Sequence, residues 1–156
     1  DTATTSGSTI TFSSIPSGVK QITLSWRGGS TNNIGQIYVQ IGDSGGLETT
    51  GYTGDTLTFN TTPTISRMAW SAGSGALLAN STNAATVWNA TLVATLVNAS
   101  TNTWSFSVTS TNDAGSGTAP GTIGAGNKSL SATLDRIAII TANTFDAGSV
   151  NIAYSS

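Results

Sequence analysis

The sequence contains no histidine and no cysteine, and only 8% of its 156 residues are charged. Each scarcity excludes something. Without His or Cys, neither a Ser-His-Asp nor a Cys-His triad can be assembled, and a zinc site of the usual nitrogen and sulfur ligands cannot form. No disulfide framework exists, so cysteine usage says nothing about redox compartment. Lys and Arg together number 5 and nowhere cluster. Gripping a phosphate backbone needs several side by side, so nucleic acid is not an expected partner. Apolar runs are only a few residues long, and no membrane insertion is expected. Asp1-Thr2-Ala3-Thr4-Thr5 lacks the basic start and apolar stretch of a secretory signal. With no initiator Met, the chain is expected to be a piece of a longer protein or a processed product.

What the chain does have is Ser, Thr, Asn and Gly, which together make roughly half of it. Such a bias accompanies disorder when aromatics are few and net charge is high. Here the net charge is −2, and 4 Trp, 4 Phe and 3 Tyr are spread along the chain. The reading is an ordered, β-rich single domain over 1–156 with a neutral polar surface.

Period-two alternation dominates. Ile22, Leu24 and Trp26 share one face of a segment whose other face carries Gln21, Thr23 and Ser25. Ile37, Val39 and Ile41 repeat this against Gln36, Tyr38 and Gln40, as do Trp104, Phe106 and Val108, and Val150, Ile152 and Tyr154. Each is a half-buried strand. Thr86 to Asn98 and Leu134 to Thr141 are apolar on both faces and belong in the middle of sheets. Further strands are predicted at Thr9 to Ser13, Leu57 to Phe59 and Ile65 to Trp70. The total is about nine or ten, separated by Gly, Ser, Asn and Pro clusters. The predicted fold class is all-β, an antiparallel two-sheet sandwich of jelly-roll type. Shared alternation phase puts Ile22, Leu24, Trp26, Ile37, Val39, Ile41, Leu92, Phe106, Ile139 and Ile152 in its core. Ser71 to Ala85 carries some helical composition, but its Gly and Asn content reads as a loop; Asn112 to Asn127 reads as a long Gly-rich loop.

Several motifs have a plain reading beside a chemical one. Gly42-Asp43-Ser44-Gly45-Gly46 matches the string around a protease nucleophile. A serine hydroxyl needs a base, and without His the string is a Gly-rich turn leaving a strand. Gly124-Ala125-Gly126-Asn127-Lys128-Ser129 partly matches a phosphate-binding loop, but Asn stands where Gly must precede the Lys and no helix follows. The sequons at Asn60, Asn80, Asn89, Asn98 and Asn127 are what so much Ser and Thr produces by chance. Asp43, Glu48 and Asp55 lie in one Gly-rich stretch, where two could face each other as in a glycosidase or hold calcium with backbone carbonyls. The alternative is solvated loop acids and turn caps. No metal or other cofactor is expected. Trp26, Trp88 and Trp104 sit on apolar faces and read as core; Trp70, beside a Gly/Ser loop, is open. Tyr52, flanked by glycines, reads as an exposed ring.

Three blocks carry a resemblance. Ser17-Gly18-Val19-Lys20-Gln21-Ile22-Thr23-Leu24 leads into Ile37-Tyr38-Val39-Gln40-Ile41-Gly42-Asp43-Ser44-Gly45-Gly46, then Glu48-Thr49-Thr50-Gly51-Tyr52. The chain closes with Thr144-Phe145-Asp146-Ala147-Gly148-Ser149-Val150-Asn151-Ile152-Ala153-Tyr154. Together they resemble a β-sandwich domain found at the ends of bacteriophage tail fibres and tailspikes. The match covers roughly the first third and the last quarter of the chain. The resemblance implies an extracellular virion protein that helps recognise a bacterial surface glycan, assembles as a homotrimer and is not itself an enzyme, since in this family polysaccharide cleavage usually sits in a separate β-helical domain. A purely structural virion module, in capsid decoration or fibre stabilisation, is the alternative; a polysaccharide-cleaving enzyme using Asp43, Glu48 or Asp55 is a third reading, and an unrelated lectin-like module a fourth. The expected ligand-contacting residues are Asp43, Ser44, Glu48 and Tyr52, in a loop where glycines let a ligand approach the backbone. The competing reading of that loop is that it holds the sheets or the subunits together.

Overall fold

A computed structural model describes residues 1–59, 64–70, 74–113 and 121–156. The described residues form thirteen strands and no helix. They are β1 (Thr2–Ala3), β2 (Thr9–Phe12), β3 (Gln21–Thr31), β4 (Gly35–Asp43), β5 (Gly46–Leu47), β6 (Thr53–Phe59), β7 (Ile65–Ala69), β8 (Ala76–Ser81), β9 (Trp88–Asn98), β10 (Thr103–Asn112), β11 (Gly121–Ser129), β12 (Arg136–Thr141) and β13 (Phe145–Ser155). Every pairing is antiparallel. The larger sheet runs β1-β13-β3-β9-β10-β11-β6-β7; the smaller runs β2-β12-β4, with β5 and β8 along the other side of β4. The predicted two-sheet sandwich is the observed fold.

The core follows the alternation. Of the ten predicted core residues, Ile22, Leu24, Trp26, Ile37, Val39, Ile41, Leu92, Phe106 and Ile139 are buried and Ile152 is partly buried. Burial fades along β13, from Val150 through Ile152 to the exposed Tyr154, where β1, which pairs only with Ser149 and Val150, no longer flanks the strand. The two segments apolar on both faces lie inside sheets as predicted: β9 between β3 and β10, β12 between β2 and β4. The outward Ala138 of β12 is fully buried within the chain itself, so that face does not by itself call for another subunit.

Four strands lie beyond those predicted. β1 and β5 are two residues each, too short to show a period. β8 falls in the stretch read as a loop, and β11 in the Gly-rich stretch; residues 71–73 and 114–120 of those stretches lie outside the described residues. The glycines of β11 have a packing reason. Trp70 lies fully buried against this strand, and a Cβ on Gly126 would come within 2.4 Å of its Cζ3. A Cβ on Gly54, across the β6 pairing, would meet Trp70 Cε3 at 2.8 Å. Glycine here makes room for an indole. The indole N–H donates to Thr56 Oγ1 (2.8 Å), and Thr56 Oγ1 donates to the Leu77 carbonyl on β8 (3.0 Å). β8 is thus tied across the core, because a buried carbonyl left unpaired would be costly.

Candidate functional site

The sequence-predicted residues sit at the β4–β5 turn. Asp43 pairs with Gly46, leaving Ser44 and Gly45 as the two turn residues. Asp43 Oδ1 accepts the Gly45 N–H (2.8 Å), and Oδ2 accepts the Ser131 hydroxyl (2.6 Å). The Ser131 and Gly45 bonds hold the Asp43 carboxyl below its usual range. Glu48 Oε1 accepts the Ser131 N–H (2.7 Å), while Oε2 takes the Lys128 ammonium. Burial pushes Glu48 up, but the Lys128 and Ser131 contacts outweigh it and the net shift is downward. Lys128 is itself buried, donates to the Ser129 carbonyl (2.6 Å) and lies 5.9 Å from the Tyr52 ring centroid.

Tyr52 corrects the expectation of an exposed ring: it is 2% exposed and packs on Phe106 at 6.1 Å. Its hydroxyl accepts the Ile41 N–H (2.8 Å) and faces the Glu48 carbonyl at 3.0 Å, and burial pushes its pKa up. The flanking glycines mark the tight path that brings the ring inward. The structure therefore brings Asp43, Glu48 and Tyr52 together as a clasp. It joins the β4–β5 turn to the segment between β11 and β12, with Lys128 and Ser131 as partners that no sequence motif indicated. Ser44 alone is exposed. Asp55 does not join them: it stands on the outer face of the larger sheet, paired with Arg67 (2.9 Å). Among the described residues no three acidic side chains gather as a metal site would require. The Gly124 to Ser129 string lies within strand β11, without the helix a phosphate loop needs.

A cleft of about 760 Å³ opens on the outer face of the smaller sheet. Its floor is the polar face of β4, Gln36 and Tyr38, beside Asn80 of β8 and Ile140 of β12. Its rim comes from three loops at one end of the sandwich, through Ile34, Thr82 and Ala142. Hydrogen bonds within and between these loops fix them. Thr31 Oγ1 donates to the Asn33 carbonyl (2.8 Å), Ser81 Oγ to the Asn83 carbonyl (2.8 Å), and Asn143 Nδ2 to the Ile34 carbonyl (2.8 Å). Gln40 Nε2 holds the Ser74 carbonyl at 2.6 Å, closing the far wall. Tyr38 is half-buried, its hydroxyl donates to Gln36 Oε1, and burial raises its pKa. Among the described residues, none that lines the cleft is charged. One ring face, two aliphatic side chains, two amides and several hydroxyls suit a ligand with both C–H surfaces and neutral hydroxyls. The signal was present in the sequence: Tyr38 is the one aromatic in the polar phase of its strand.

No family model and no curated protein matches the sequence. Among solved structures, a tetrameric galectin from the ball sponge Cinachyrella sp. is similar over 94% of this chain and 99% of its own, with 7% identity and a TM-score of 0.39. An alginate lyase from Alteromonas sp. 272 is similar over 95% of this chain and 89% of its own, with 10% identity and a TM-score of 0.21. Neither likeness bears on the function of this chain.

Proposed function

We propose that the protein is a glycan-recognition domain of a phage tail fibre or tailspike, assembled as a homotrimer, that binds a neutral bacterial surface saccharide in the Tyr38 cleft. The observation that carries the reading is the cleft itself: fixed loops around a half-buried Tyr38 floor, lined among the described residues by amides and hydroxyls and by no charged side chain. Its size falls within the ordinary range for small-ligand sites. Apolar contact beneath the sugar C–H bonds falls to Tyr38, with Ile34 and Ile140 beside it. Gln36 and Asn80, adjacent across the β4–β8 pairing, supply amide donors and acceptors for hydroxyls. The virion setting is supported by the three sequence blocks described above.

This reading moves the ligand from Asp43, Glu48 and Tyr52, whose polar groups are engaged within the chain, to the opposite phase of β4. A glycan array with the isolated protein tests it. Binding to a neutral glycan is expected, and Tyr38→Ala is expected to weaken it at least tenfold, about 1.4 kcal/mol, with melting curves showing that the variant is folded at the assay temperature. Glycan binding that survives Tyr38→Ala intact would remove the cleft from consideration. The purified protein should also block adsorption of its phage to susceptible cells; undiminished adsorption at saturating protein would refute host recognition.

A further inference from the structure

The outer face of the larger sheet changes character halfway across. Asn151, Ser25, Thr91 and Thr109 stand in one cross-strand row on β13, β3, β9 and β10. The same line continues onto β11 and β6 as Ile123 and Leu57, which pair directly. Next to them Phe59 stands opposite Ile65 on the edge strand β7. Ile65 is 62% exposed, Ile123 46% and Phe59 37%, and these make three of the six exposed large hydrophobics among the described residues. Scattered exposed apolar side chains are ordinary. Three in contiguous register, joined through Leu57 and bordered by hydroxyls, mark an interaction surface.

The patch has relief and charge of both signs. Gly54, Gly124 and Ala125 leave a shallow depression of about 440 Å³, walled by Leu57, Ile123 and the Asp55–Arg67 pair. Two residues further along β6, Phe59 and Ile65 stand up as a ridge. A surface holding ridge and depression, cation and anion, side by side is complementary to itself. A rotation axis between them seats the ridge of one copy in the depression of the next and sets Arg67 of one against Asp55 of the other. We propose that identical copies of this chain meet through this patch. The inference gives the assembly named above a surface, on the sheet opposite the Tyr38 cleft, so self-association and glycan binding fail independently of each other.

Sedimentation equilibrium of the full chain at tens of micromolar tests the proposal. The wild type is expected to associate, and Ile65→Asp to weaken association at least tenfold. Arg67→Asp and Asp55→Arg should each do the same, because like charges then face each other across the contact. Mixing these two charge variants is the decisive arm. Within each variant the Asp55–Arg67 pair remains broken, yet every contact between unlike chains is restored, and two of the three contacts in a mixed trimer join unlike chains. Association recovered on mixing supports contact between copies. A wild type that stays monomeric, charge variants that associate as the wild type does, or a mixture no better than its components overturns the proposal. Melting curves of each variant confirm that it is folded, since an exposed ion pair contributes little to stability.

Discussion

Tyr52→Phe removes a single oxygen from the clasp and tests whether this loop works as structure. The Tyr52 hydroxyl is the partner of the Ile41 N–H at 2.8 Å and faces the Glu48 carbonyl at 3.0 Å. Ile41 is fully buried, so water cannot replace the lost oxygen. A buried donor left without an acceptor costs about 1–3 kcal/mol. The ring remains, so no cavity adds to that figure and the Phe106 contact persists. Taking about 2 kcal/mol, and a Tm shift of roughly 2–4 °C per kcal/mol for a chain of this size, the expected fall is about 4–8 °C. Differential scanning calorimetry reads it directly, and the glycan affinity should not change. A fall under 1 °C would refute the argument that this hydroxyl satisfies a buried strand end. A tenfold loss of glycan affinity without a Tm change would return the ligand to this loop.

The pH profile should show the same clasp. Asp43 and Glu48 both have folded-state pKa values below their ordinary ones, so the folded state binds fewer protons than the unfolded chain in acid. Their contribution is fully present above the unfolded carboxylate range, roughly pH 4, and is lost as pH falls through the folded values. Thermal melts from pH 7 down to pH 2 should fall steeply below about pH 4, and Glu48→Gln with Asp43→Asn should flatten that limb; an unchanged limb counts against the clasp. Gly126→Ala should lower stability by about 1–3 kcal/mol, the usual cost of overpacking, because its Cβ would meet the Thr53 carbonyl oxygen at 2.2 Å as well as Trp70. Urea denaturation checks this, and a variant as stable as the wild type would mean that Trp70 shifts freely.

The alternation in β3, β4, β10 and β13 was legible because each strand has one polar face in sequence, and a period of two then sorts its residues. β8 and β11 were not legible for two different reasons. β8 buries both faces, so Ala76, Leu77, Leu78 and Ala79 show no alternation at all. On β11 the inward positions are Thr122, Gly124, Gly126 and Lys128, a series that looks like a loop until Trp70 is laid across it. Lys128 misleads most, since a buried ammonium is rare unless paired, and its partner Glu48 lies far away in sequence. Tyr52 was misread for a related cause: flanking glycines signal backbone freedom but do not say which way the ring turns. The candidate cleft was half legible. Gln36 and Tyr38 were on the polar face from the start, but Asn80 and the three rim loops meet them only through pairings between distant segments.

The order of the strands also sets when this chain can fold. β1 pairs with β13, and β2 with β12, so each sheet joins the beginning of the sequence to its end. β3, near the middle of the larger sheet, has β13 as one of its two neighbours, and β4 in the smaller sheet leans on β12. During synthesis, the first hundred residues therefore hold several apolar strand faces whose partners have not yet been made. Neither sheet can close until residues 136–155 have emerged, and the search for such distant pairings places folding in the slow range of roughly milliseconds to seconds. Over that interval the sparse charge of the chain gives little repulsion between exposed strands, so its abundant solvated hydroxyls, rather than charge or native contacts, are left to limit their pairing with one another.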